Sequence, residues 1–137
     1  MTSNRRSEVV AAPAPVVIKA MVGCIVTRLG IDDSFTLALC GIDREIILRI
    51  DGNGEIENDG NGIDFDPDQD PASVVPLIGL LNRSIDDVEL GNDGSLTLFS
   101  RKTRLTIFPS EHNLSWSVRG SDGSGASSIA EGRVVWE

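Results

Sequence analysis

The chain of 137 residues has no tyrosine, a single histidine, two cysteines, two tryptophans and four phenylalanines. One histidine excludes a metal site built on several imidazoles, and so few aromatic rings leave little surface for stacking on bases or sugars. No apolar run approaches the ~18 residues of a membrane span. The G-x-S-x-G, P-loop and G-x-G-x-x-G patterns are missing. We therefore expect a protein that is not an enzyme, holds no cofactor or metal and has no catalytic residues.

Positive charge is also scarce, because 12 Lys and Arg face 21 Asp and Glu and give a formal net charge of −9. A phosphate-binding surface must supply positive charge, so neither nucleic acid nor anionic membrane is an expected partner. No Lys, Arg or His occurs between Asp51 and Asn82. That segment contains eight acidic residues: Asp51, Glu55, Glu57, Asp59, Asp64, Asp66, Asp68 and Asp70.

Three interpretations of the acidic segment 51–70 stay open. It is a solvated loop that keeps the domain soluble, a docking surface that steers a basic partner, or a calcium loop. A calcium register starting at Glu57 has Gly62 in place, but it lacks the leading Asp, carries Asp64 where an apolar residue belongs and has no flanking helices. We favour docking over calcium, with candidate partner-binding residues Asp59, Asp64, Asp66, Asp68, Asp70, Asp86, Asp87 and Glu89.

The sequence repeats itself. Leu29-Gly30 returns as Leu90-Gly91, and Ser34-Phe35-Thr36-Leu37 returns as Ser95-Leu96-Thr97-Leu98, in both cases 61 positions later (29 to 90, 34 to 95). Period-two alternation of apolar residues predicts strands. We expect two repeated three-stranded antiparallel meanders, at 23–30, 34–40, 44–50 and at 84–90, 95–100, 103–108. Two C-terminal strands follow, around Trp116 and from Arg133 to Trp136.

One short helix is expected between the two copies. Val74, Leu77, Ile78 and Leu81 fall at i, i+3, i+4 and i+7 and form one apolar stripe. Ser73 is placed to cap this helix over 74–81, and we expect the stripe to pack on the sheet. A pocket between sheet and helix is the basis of an alternative function.

The N-terminal residues 1–21 are expected to form a mobile tail rich in Ala and Pro. Pro13, Pro15 and Lys19 break the apolar run that a signal peptide needs, so we expect a cytoplasmic protein, with Met21 as a candidate start. Cys24 and Cys40 are predicted to be buried thiols on adjacent strands, in keeping with a reducing compartment. A disulfide or redox role is the alternative.

The C-terminal half resembles an uncharacterised family of small bacterial domains. The resemblance lies in Asp93-Gly94-Ser95-Leu96-Thr97-Leu98-Phe99, Arg104-Leu105-Thr106-Ile107, Trp116-Ser117-Val118-Arg119-Gly120 and Gly132-Arg133-Val134-Val135-Trp136. With the earlier half-copy and the helix included, the resemblance covers residues 22–137. It departs from the family pattern at Ser100–Thr103 and at Glu131, where glycines are usual. Small acidic domains of this sort are similar to immunity proteins that neutralise toxins.

Taken together, these observations predict a single mainly β (α+β) domain over 22–137 that binds a basic protein partner without catalysis. A toxin neutralised by an immunity-type protein is the sharpest form of this hypothesis. The alternative is an enzyme or small-ligand-binding domain with a pocket between sheet and helix. The sequence leaves the oligomeric state open.

Overall fold

The computed structural model describes residues 7–9, 16–32 and 34–136, and within them the chain is mainly β, as the alternation predicts. One α-helix, α1, spans Val16–Lys19, and 3₁₀ helices span Pro71–Leu80 and Ala130–Gly132. The strands are β1 (Ser7–Val9), β2 (Ile25–Ile31), β3 (Phe35–Cys40), β4 (Glu45–Ile50), β5 (Gly54–Asn58), β6 (Asn61–Phe65), β7 (Asp87–Leu90), β8 (Leu96–Ser100), β9 (Thr103–Ile107), β10 (Trp116–Gly120), β11 (Gly125–Ser128) and β12 (Val134–Trp136).

The strands form two antiparallel sheets. The seven-stranded sheet has the order β1-β12-β11-β10-β4-β3-β2, and the five-stranded sheet has the order β6-β5-β9-β8-β7. One face of each sheet contributes to a single apolar core, because alternate residues of each strand point to the same side. Its largest buried members include Phe35, Leu37, Leu39, Ile46, Leu48, Ile50 and Trp116 from the first sheet and Ile56, Phe65, Leu96, Leu98, Leu105 and Ile107 from the second.

The predicted duplication is present, with one meander in each sheet. β2, β3 and β4 form the first copy, and β7, β8 and β9 form the second. Leu37 pairs with Leu48 in the first copy as Leu98 pairs with Leu105 in the second. Leu105 is thus the equivalent of Leu48, 57 positions earlier rather than 61, because the turn between β8 and β9 is shorter than the turn between β3 and β4.

The two copies exchange hairpins, which the sequence did not predict. The hairpin β5–β6 follows the first meander but pairs with β9 of the second. The hairpin β10–β11 follows the second meander but pairs with β4 of the first. The repeated unit is therefore a helix, a meander and a hairpin, and each meander is extended by the hairpin of the other half.

The prediction of a loop across the acidic segment was wrong over its central part, since 54–65 form β5 and β6. Their alternation was hard to see because the outward positions are acidic or glycine, which leaves only Ile56, Ile63 and Phe65 as apolar residues. Asp59 (φ 52°) and Gly60 (φ 86°) make the tight turn between the strands, where the left-handed conformation suits Asp and Gly.

The helix after β6 is a 3₁₀ helix, which corrects the predicted α-helix over 74–81. With three residues per turn, every third side chain lies on the same side. Val74, Leu77 and Leu80 are therefore buried, whereas Ile78 and Leu81 are 45% and 38% exposed. The N-cap is Asp70, whose carboxylate accepts the Ala72 N–H, rather than Ser73. The helix packs on β6 and β2, and α1 packs on β10, β11 and β7.

The packed domain begins earlier than the predicted boundary at residue 22. Val17, Ile18 and Met21 are fully buried in the core, so α1 belongs to the domain rather than to a tail. Ser7–Val9 pair with Val134–Trp136 at one edge of the seven-stranded sheet. The remaining residues of the predicted mobile tail, 1–6 and 10–15, lie outside the described residues.

The cysteines differ from the expected pair of buried thiols. Cys24 is buried, but Cys40 is exposed, and both are free. The β2–β3 turn sets the register by pairing Ile31 with Phe35, and even after the one-residue bulge between Val26 and Arg28, Cys40 pairs with Ile25 rather than with Cys24. Burial raises the pKa of the Cys24 thiol, and the nearby Cys40 raises it further by a smaller amount. The positive charge of Arg44 partly opposes this increase. Cys24 is therefore not an activated nucleophile.

Candidate functional site

The outer face of the five-stranded sheet collects acidic side chains from three strands. Ile56 is buried, so Glu55 and Glu57 on either side of it point outward. The pairing places the outward residues in two rows across the sheet. The first row is Asp64, Glu55, Thr106, Thr97 and Glu89, and the second row is Gly62, Glu57, Arg104, Phe99 and Asp87. We call Glu55, Glu57, Asp64, Asp87 and Glu89 together the acidic face.

Carboxylates flank a nearly neutral centre on this face. Three acids lie on β5 and β6, and two lie on β7 at the opposite edge, about 14 Å from β5 at the usual spacing of strands. Between them, the Thr97 and Thr106 hydroxyls are 3.3 Å apart and share a hydrogen bond. Arg104 is the only basic residue of the two rows, and its guanidinium pairs with Glu57.

Two of the three acids on β5 and β6 repel each other. Glu55 lies directly opposite Asp64 in the β5–β6 pairing, and like charges in that position are destabilising. The Glu55 carboxylate lies over Gly62, which has no side chain to exclude it. A positive group placed between Glu55 and Asp64 would relieve this repulsion.

Only three of the eight predicted partner-binding residues belong to the acidic face, namely Asp64, Asp87 and Glu89. Asp59 and Asp86 lie at one end of the sheet, beside the β8–β9 turn. There Asp59 Oδ1 lies 3.7 Å from Lys102 Nζ, and Asp86 Oδ2 accepts the Arg101 N–H at 2.6 Å. Their negative charge is thus partly compensated within the fold.

Asp66, Asp68 and Asp70 lie beyond the opposite end of β6, in the turn that leads to the 3₁₀ helix. Asp66 Oδ1 accepts the N–H groups of Asp68 and Gln69 at 3.2 and 3.3 Å. Asp70 Oδ1 accepts the Ala72 N–H at 3.1 Å and caps the helix. Asp66 and Asp70 therefore shape the backbone, whereas the Asp68 side chain is exposed.

Glu55 and Glu57 were missing from the predicted set. The signal that identifies them is the alternation Glu55-Ile56-Glu57, which is a strand pattern rather than a loop pattern. The candidate calcium ligands of the register that starts at Glu57 are kept apart, because the hairpin places Asp59 and Asp68 at opposite ends of β6. Within the described residues, no group of three or more His, Cys, Asp or Glu side chains is arranged to hold a metal ion.

The alternative pocket between sheet and helix is very small. A recess lined by Ile31, Phe35, Pro71 and Val74 has a volume of about 10 Å³, which is room for about one water molecule. His112 is exposed and lies 3.2 Å from Glu111, away from this recess. Neither feature supports the alternative of an enzyme or a small-ligand site between sheet and helix.

Among the described residues, two aspartates have lowered pKa values, and both occur in Asp-Gly-Ser turns. The Ser95 hydroxyl and N–H donate to Asp93 Oδ1 at 2.7 and 2.9 Å and lower the pKa of Asp93. The Ser124 hydroxyl and N–H do the same for Asp122, at 2.6 and 3.0 Å. The shared geometry gives both groups a structural role in their turns.

These features define a class of protein: a duplicated two-sheet β domain with exchanged hairpins and an acidic outer face. In the described part of the chain, no helix has the length and hydrophobicity needed to cross a bilayer.

The chain belongs to DUF6188, a family of unknown function, which it matches over residues 17–137. No curated protein and no solved structure matches the chain. The family match starts inside α1, in agreement with the burial of Val17 and Ile18.

Proposed function

We propose that the protein is a non-catalytic binding module that docks a basic protein partner on the acidic face. The supporting observation is that five carboxylates and one guanidinium occupy the outer face of one sheet, with Glu55 directly opposite Asp64. Basic side chains of the partner would lie along the two acidic edges, and the half-buried Phe99 between them offers an apolar contact. Aromatic residues, Phe included, are enriched in protein–protein interfaces.

The sharpest form of the proposal is an immunity-type role, in which the partner is a bacterial toxin with a basic surface and binding takes place in the cytoplasm. A toxin that acts on nucleic acid needs positive charge at its own binding surface. An acidic partner that covers such a surface would compete directly with the nucleic acid. Charge complementarity also raises the association rate, as rapid neutralisation requires.

Capture of the partner from native extract tests the proposal. The face variant carries Asp64→Lys, Asp87→Lys and Glu89→Lys, and the matched control variant carries Asp32→Lys, Asp43→Lys and Glu111→Lys. All six positions are exposed, and the control positions lie in turns and loops outside the five-stranded sheet. Each variant changes the net charge by the same amount, so a difference between them reports position rather than total charge.

We expect the wild-type protein and the control variant to retain the same basic protein, identified by mass spectrometry, and the face variant to lose it. Circular dichroism and thermal melting verify that both variants fold. Equal retention by the two variants would refute docking on the acidic face. Retention of an acidic or neutral protein by all three baits would refute the charge-based recognition.

A further inference from the structure

A second surface has the opposite charge and lies where the two halves of the chain meet. The segments that lead into β2 and β7 pair with each other, since Gly23 N–H donates to Ile85 O at 2.7 Å and Val26 N–H donates to Arg83 O at 2.9 Å. Beside this junction is an open groove of about 360 Å³. Its volume falls within the usual range for small-molecule sites.

Two arginines, Arg83 and Arg101, are among the residues that line this groove. Five basic side chains of the described chain are paired with carboxylates, namely Arg28, Arg44, Arg49, Lys102 and Arg104. Across residues 16–32 and 34–136, no carboxylate oxygen lies within 4.0 Å of the charged nitrogens of Arg83 or Arg101. In a protein with a net charge of −9, two such cations in one groove favour an external anion.

The two arginines are held in place by contacts that leave their charge uncompensated. Arg83 Nη1 donates to Thr103 Oγ1 at 3.4 Å, and its backbone is fixed by the bond to Val26. Arg101 has a left-handed backbone (φ 57°), and Asp86 Oδ2 accepts its N–H at 2.6 Å. Asp86 therefore binds the main chain of Arg101 rather than its guanidinium.

The left-handed backbone is strained for a residue with a side chain, and glycine would avoid that strain. Asn82, which also lines the groove, has φ 70°. Ile25 and Leu81 also line the groove, with side chains that are 46% and 38% exposed. The groove thus combines two basic and two apolar residues.

We propose that this groove binds a small organic anion. Its carboxylate or phosphate group lies between Arg83 and Arg101, and its short apolar body packs on Ile25 and Leu81. The charge-assisted hydrogen bonds supply orientation as well as affinity. This site is separate from the acidic face and does not depend on the function proposed for it.

The test is an NMR titration of the ¹⁵N-labelled protein with hexanoate, butyl phosphate, inorganic phosphate and 1-hexanol. We expect hexanoate or butyl phosphate to cause saturable shifts at the amides of residues 82–84 and 100–101. The tighter of the two identifies the anionic group. Inorganic phosphate should bind more weakly than butyl phosphate, and 1-hexanol should cause no saturable shift.

Variants then test the two arginines. The double variant Arg83→Gln, Arg101→Gln should weaken binding of the preferred anion by about tenfold or more, because it removes two charged donors. Arg119→Gln is the control for removal of an exposed arginine elsewhere, since Arg119 lies on β10, away from the groove. The proposal is overturned if neither organic anion shifts the groove amides, if inorganic phosphate binds as tightly as butyl phosphate, or if the folded double variant binds as tightly as the control.

Discussion

The Trp116 indole N–H donates a hydrogen bond of 2.9 Å to the main-chain carbonyl of Gly94. Trp116 lies on β10 in the seven-stranded sheet, and Gly94 lies in the β7–β8 turn of the five-stranded sheet, so this bond joins the two sheets. The tryptophan is fully buried, and a buried indole N–H usually has such a partner. The exchange of hairpins between the two halves places Trp116 at this position.

Replacing Trp116 by Phe should lower the free energy of unfolding by about 1–3 kcal/mol, because the buried Gly94 carbonyl loses its partner. Urea denaturation followed by circular dichroism measures the change. Trp136→Phe at the half-buried second tryptophan is the control and should cost less. If both variants lose the same free energy of unfolding, the loss comes from the smaller ring, and the hydrogen bond to Gly94 does not contribute to stability.

Two glycines in equivalent turns allow strain to be separated from steric overlap. Gly94 (φ 91°) and Gly123 (φ 93°) each follow the Asp of an Asp-Gly-Ser turn. A Cβ at Gly123 meets no atom within 4 Å, whereas one at Gly94 would overlap the main-chain carbonyl of Gly132. Gly123→Ala should therefore cost about 1–2 kcal/mol from backbone strain alone.

Gly94→Ala should cost the same strain plus a shift of the Gly132 backbone, for a total of about 3 kcal/mol or more. Thermal or urea unfolding of both variants gives the comparison. If Gly94→Ala lowers the free energy of unfolding no more than Gly123→Ala does, the β7–β8 turn is not packed against Gly132.

The duplication predicts that equivalent core positions are equally sensitive. Leu37 and Leu98 occupy the same place in the two meanders and are 0% and 2% exposed. Each change to Ala should destabilise the protein by about 2–5 kcal/mol, from lost burial and the cavity that remains. Leu114→Ala, at a 36% exposed position, is the control and should cost much less. A large loss of stability in Leu37→Ala together with a small loss in Leu98→Ala would contradict a core in which the two positions are equivalent.

The Asp93 turn predicts an acid-dependent contribution to stability. Because hydrogen bonds from Ser95 hold the pKa of Asp93 below its ordinary value of 3.8, folding favours the ionised carboxylate. This contribution is complete above the ordinary pKa and is lost as the pH falls through the lowered one. Ser95→Ala should raise the pKa of Asp93 in an NMR titration of the carboxyl carbons. Ser124→Ala should shift Asp122 instead, and an unchanged Asp93 in Ser95→Ala would contradict the assignment.

Period-two alternation located both meanders, because the core-facing residues of β3, β4, β8 and β9 are nearly all large and apolar. It missed β5 and β6, whose outward positions carry acids that read as a solvated segment. The sequence repeat identified the copies but not the exchange of hairpins. Pairing of Ile56 with Leu105, and of Val118 with Leu48, connects residues far apart in the chain, and no local pattern encodes that choice.

The 3₁₀ helix shows a limit of periodicity arguments. Val74 and Leu77 fit both a three-residue and a 3.6-residue repeat, so the apolar stripe alone did not decide between them. The acidic residues were recognised by charge, but charge alone did not separate Asp66 and Asp70, which shape a turn, from Asp64 on the acidic face. Those roles depend on hydrogen bonds to backbone N–H groups, which the fold determines.

The most direct test of docking on the acidic face is the association rate of the captured partner at low and high salt, measured by surface plasmon resonance. Steered association slows as salt screens the charges, with a screening length of about 8 Å at physiological ionic strength. The wild-type protein and the control variant should associate rapidly at low salt and much more slowly at high salt. The face variant should associate at least about tenfold more slowly at low salt, with little further dependence on salt. A face variant that associates as fast as wild type at both salt concentrations would contradict the account.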